Sequence, residues 1–70
     1  MWDYKYRTQK KTVEARAKYA GADVLLTTSR TSVRFAMNGG IMFKGTSDLE
    51  DFANDLHAAA KTSKEILEAQ

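Results

Sequence analysis

The stretch TVEARAKYAGADVLLTT, residues 12–28, decides how the chain folds. Val13, Ala15, Ala17 and Tyr19 alternate with polar residues, which is the period of a strand with one buried face. Yet Ala, Glu, Arg and Lys are good helix formers, Glu14 and Lys18 stand four apart, and Gly21 suits a helix C-terminus. A helix here would carry only the thin apolar stripe of Val13, Ala17 and Ala20, and a thin stripe buries little area. Residues 9–20 therefore read as a strand, with a short helix as the open alternative. DVLLTT is β-rich in its own right.

Downstream, SVRFAM alternates again, with Val33, Phe35 and Met37 on one face and Arg34 and Ala36 on the other. NGG at 38–40 is a hairpin signal, and IMFKG after it reads as a further strand, with Ile41 and Phe43 opposed to Met42 and Lys44. Upstream, WDYKYR alternates aromatic with charged residues and also reads as a strand. Short connections make neighbouring strands antiparallel.

SDLE at 47–50 fits a capping box, with Ser47 as N-cap and acids in the first turn. Leu49, Phe52, Ala53, Leu56, Ala60, Ser63 and Leu67 then follow helical spacing. The expected fold is a single α+β domain over residues 1–70. It is an antiparallel meander of four to five strands, covered on one face by a C-terminal amphipathic helix. The uncovered face, with Leu25, Ala36 and Met42, would remain for a partner or a second copy.

Seventy residues bury a modest core. With no cysteine there is no disulfide and no thiolate metal site, and one histidine makes no His-rich site. Oligomerisation is the remaining way to add stability, so a homo-oligomer is expected. No apolar run reaches membrane length and the N-terminus has no apolar signal region, so the expected place is the cytoplasm, with neither membrane nor metal as partner.

Chemistry for catalysis is sparse. His57 sits at the edge of the helix stripe and reads as a packing residue. Asp48, Asp51 and Asp55 fall on the opposite helix face and read as solvated. Phosphate-loop and dinucleotide-loop glycine patterns are missing from the sequence. The chain is expected not to be an enzyme and to need no cofactor.

Charge is more informative. Residues 1–46 carry nine basic and three acidic side chains, +6, whereas residues 47–70 carry two and six, −4. The halves either neutralise each other or present separate surfaces. TTSRTS at 27–32 places Thr28, Ser29, Thr31 and Ser32 around Arg30, with Arg34 close behind. Hydroxyls beside guanidinium forks suit a phosphate, although Thr and Ser also suit a plain turn. The N-terminal strand adds Tyr4 and Tyr6, with Trp2, on one face and Lys5 and Arg7 on the other. Aromatics beside cations can stack bases, or else pack under the helix. Lys10, Lys11, Arg16 and Lys18 extend the basic surface.

The expected function is a non-enzymatic, homo-oligomeric binder of a phosphate-bearing ligand, a nucleotide or nucleic acid. The alternative is a protein-interaction module, an inhibitor or adaptor working through its acidic helix or open sheet face. In size and composition the chain is similar to accessory proteins of bacteriophages and plasmids.

Overall fold

The computed structural model describes residues 3–70. Trp2 lies outside the described residues. The chain forms β1 (Lys5–Thr8), β2 (Val13–Tyr19), β3 (Ala22–Thr28), β4 (Val33–Asn38) and α1 (Thr46–Glu68). The sheet is an antiparallel meander in the order β1-β2-β3-β4, with the helix packed on one face. Residues 13–19 are a strand, as their alternation predicts.

Register sorts the side chains. Tyr6, Ala15, Leu26 and Phe35 lie in one cross-strand row, and Val13, Thr28 and Val33 lie in another. These rows face the helix. Lys5, Arg16, Leu25 and Ala36 form a row on the other face, as do Arg7, Glu14, Thr27 and Arg34. Two-residue periodicity thus sends Val13, Ala15 and Ala17 of β2 and Val24 and Leu26 of β3 inward, and it leaves Leu25 on the open face with the cations.

Among the described residues the buried apolar ones are Val13, Ala15, Ala17, Ala22, Val24, Leu26 and Ala59. Most are alanines, so helix and sheet approach closely while little apolar area leaves water. Tyr4, Leu56 and Ala60 pack around the cluster of Ala15, Leu26 and Ala59. A second, aromatic cluster closes the other end of the helix. Phe52 lies 5.8 Å from Tyr19, 5.2 Å from Phe43 and 6.3 Å from Phe35, between ring centroids.

Two short-range expectations fail for tertiary reasons. IMFKG forms no strand. Gly39 takes a positive φ of 92°, but the chain then leaves the sheet. Phe43 fills the space between Tyr19 and Phe52, which an extended strand beyond β4 would not allow it to do. Met42 consequently projects into solvent from the crossing and not from the sheet face. The helix also starts earlier than its capping box implies. Gly45 is the N-cap and no side chain caps it, so Ser47 lies inside the first turn.

The buried stripe of α1 is rotated from the expected one. Ala59 and Ser63 are buried, while Leu49 and Ala53 are exposed. The helix covers β2 and β3 and reaches β1, but it barely touches β4. The stripe must therefore face the two central strands, and the side of the helix carrying Leu49 and Ala53 overhangs the β4 edge.

Candidate basic site at the loop end

The β1–β2 and β3–β4 connections lie at the same end of the sheet and are built alike. Each spans four residues between paired strand ends, Thr8 with Val13 and Thr28 with Val33. In each, the first residue's N–H donates to the fourth residue's carbonyl, from Gln9 to Thr12 and from Ser29 to Ser32, both at 2.8 Å. The central pairs, Lys10-Lys11 and Arg30-Thr31, are thereby presented at the tips.

The serines of TTSRTS serve the turn itself. The Ser32 N–H donates to Ser29 Oγ at 3.2 Å, and the two hydroxyls lie 3.0 Å apart. The Ser29 hydroxyl also reaches the Ser32 carbonyl at 3.3 Å. This network holds the tip in shape and leaves Arg30 and Thr31 exposed.

The helix completes this end. It begins after β4, at the opposite end of the sheet, and runs back across it. Twenty-three residues at about 1.5 Å each reach about 35 Å, longer than a seven-residue strand of about 24 Å. Its last turns therefore overhang the loop tips. One open cleft of about 540 Å³ is lined by Thr28, Arg30, Val33, His57, Lys61 and Lys64, among others. A neighbouring cleft of about 520 Å³ joins Lys10 and Lys11 to Ser29, Arg30 and Thr31. A third brings Arg30 beside Lys64 and Glu68. Arg30 lines all three.

Four lysines, from the β1–β2 turn and the end of the helix, thus meet around Arg30, with Glu68 as the acid among the lining residues. Thr28 is a lining residue whose buried Oγ1 has no hydrogen-bond partner among the described residues. His57 is exposed in the cleft wall and is not the packing residue its spacing suggests. Lys61 and Lys64 are the residues that sequence reasoning left out of the site. The signal was the length of the helix, which must return its later turns to the loop end.

The structure separates the remaining sequence-predicted residues from this cluster. Arg34, Lys5 and Arg7 lie on the open face, together with Arg16 and Lys18. Arg7 and Arg34 stand in the row nearest the loop tips, so the open face continues the basic surface. Its acids are Glu14 and Asp23, and Glu14 Oε1 lies 3.6 Å from Arg16 Nη2. Tyr4 and Tyr6 face the helix, with ring centroids 6.5 Å apart, so among the described residues the open face presents no aromatic to stack on.

Tyr4 also meets Asp55. Burial pushes the Tyr4 phenol up to about 12, and the nearby Asp55 carboxylate and Tyr6 push the same way. Asp55 is half-buried in that seam and not on the solvated face expected of it, and Asp48 is half-buried as well.

The acids of the helix start, Asp48, Glu50 and Asp51, are about 20 Å along its axis from Lys64. Neither Arg30 nor Arg34 forms an ion pair with a helix carboxylate among the described residues. The uneven charge of the sequence becomes a polarity along the molecule, basic at the loop tips and acidic at the helix start. No helix among the described residues is long and apolar enough to cross a membrane. Compared with protein-family models, curated protein sequences and solved structures, the chain has no match.

Proposed function

We propose that the protein is a non-enzymatic binder of nucleic acid, and that it holds the phosphate backbone at its basic loop end. The observation that carries this reading is the convergence of Lys10, Lys11, Arg30, Lys61 and Lys64 on adjoining clefts. Like charges repel, and gathering them costs stability unless a polyanion relieves the repulsion. The clefts are open and contiguous, which suits successive phosphates of a polymer better than one enclosed nucleotide. Arg30 supplies a planar fork for bidentate phosphate contact, and the lysines supply point charges around it. Arg7 and Arg34 extend the track onto the open sheet face. Among the described residues the track holds cations and no aromatic, so recognition is of the backbone and tolerates sequence.

The test is fluorescence anisotropy with labelled single- and double-stranded oligonucleotides at about 50 and 200 mM salt. Binding should weaken steeply with salt. Each of Arg30→Ala, Lys61→Ala and Lys64→Ala should reduce the magnitude of the log–log salt slope by about 1. Absence of binding at the lower salt, or slopes unchanged in all three variants, would reject the proposal.

A further inference from the structure

We infer that a second copy of this chain docks antiparallel along β4, with Phe35 on the two-fold axis, joining two sheets into one of eight strands. This inference rests on the edge strand and stands apart from the nucleic-acid reading.

The two edges of the sheet differ. β1 carries Lys5 and Arg7 and is short, two features that discourage further pairing. β4 carries one charge, Arg34, and the helix meets it chiefly through the edge of Phe52 against Phe35, leaving most of the strand uncovered. On its helix side Val33, Phe35 and Met37 are 54, 42 and 40% exposed. Leu49, at 48%, and Met42, at 92%, are exposed apolar residues on the crossing and helix start that follow β4. An unpaired strand beside a contiguous apolar strip is a surface made for strand addition.

Two arguments make the occupant another copy. The first is register. Residues opposed across antiparallel strands share a face, so a two-fold axis must pass through a residue and not between two. With the axis at Phe35, Val33 faces Met37 of the second copy, Phe35 faces its own equivalent, and Arg34 faces Ala36. All three apolar residues find apolar partners, and no arginine directly opposes another. Moving the axis to Ala36 would set Val33 against Gly39 and lose that match.

The second argument is charge. β4 starts beside the Arg30 turn and ends at Asn38, which pairs with Asp23, near the acidic helix start. Antiparallel docking lays the basic end of one copy beside the acidic end of the other. Parallel docking would set like ends together. Two-fold symmetry also leaves the two basic loop ends at opposite margins of the joined sheet.

The experiment combines solution mass with cross-linking. By light scattering the chain should have twice its 7.8 kDa mass. Val33→Lys and Met37→Lys should each give the single-chain mass with an unchanged circular dichroism spectrum. The double variant Val33→Lys with Met37→Glu should restore the pair, because the new charges meet across the axis. The chain has no cysteine, so single cysteines placed at 33–38 report register directly. Phe35→Cys should oxidise to a disulfide-linked pair fastest. A single-chain mass at the highest attainable concentration would overturn the inference. So would a dimer unaffected by both lysine variants, or cross-linking that is fastest at another position.

Discussion

Thr28 faces Val13 directly across the β2–β3 ladder, and its buried hydroxyl has no hydrogen-bond partner among the described residues. Ser63, on the buried stripe of the helix, is in the same position. A buried hydroxyl left unpaired carries its desolvation cost uncompensated. Thr28→Val and Ser63→Ala should each stabilise the fold, by about 1 kcal/mol. Urea unfolding followed by circular dichroism checks both. A loss of stability in either would mean that its hydroxyl is satisfied in solution.

The β2–β3 hairpin turns on Ala20 and Gly21, with φ of 50° and 83°. Positive φ at both central positions is the geometry of a type I′ turn, and Ala has no easy access to it. Ala20→Asn should raise stability by about 0.5–1 kcal/mol, and Ala20→Val should lower it. Thermal midpoints of the two variants report the sign.

Alkaline pH should destabilise the protein through Tyr4. Its phenol is raised to about 12 from an ordinary value near 10, so the folded chain holds a proton that the unfolded chain releases. The contribution is present below pH 10 and is lost as pH rises from about 10 to 12. Tyr4→Phe should flatten that limb of the stability profile. Ultraviolet titration of tyrosinate should show a late-ionising component that Tyr4→Phe removes, and a variant that leaves it unchanged would contradict the assignment.

Ala59 sits between helix and sheet against Ala15 and Leu26. Ala59→Leu should wedge the layers apart and cost about 1–3 kcal/mol, despite leucine's greater hydrophobicity. The exposed Ala58 beside it should accept leucine with little change. Equal effects at both positions would show that the layers are not closely packed.

If nucleic acid binds at the loop end, the acids of the molecule should matter by position. Glu68→Gln removes the carboxylate lining the basic clefts and should tighten oligonucleotide binding severalfold at low salt. Asp51→Asn, at the far end of the helix, should change it little. Anisotropy titrations under one buffer separate the two.

By itself the sequence determined the layers: alternation in WDYKYR and in residues 13–19 and 33–38, with the β-rich run DVLLTT, marks the strands, and helical spacing after residue 46 marks the covering element. These patterns are local, so they are readable wherever burial on one face repeats with a fixed period. Position relative to the rest of the chain was decided only by tertiary structure. NGGIMFKG has the local signature of a hairpin and strand, but Phe43 is worth more beside Tyr19 and Phe52 than in a fifth strand. The expected binding residues divide among a turn, an open face and a helix-facing seam, because strand register assigns neighbours to opposite faces. Lys61 and Lys64 join Arg30 because a helix longer than the strands must overhang their far end, a relation between lengths and directions that no local pattern states.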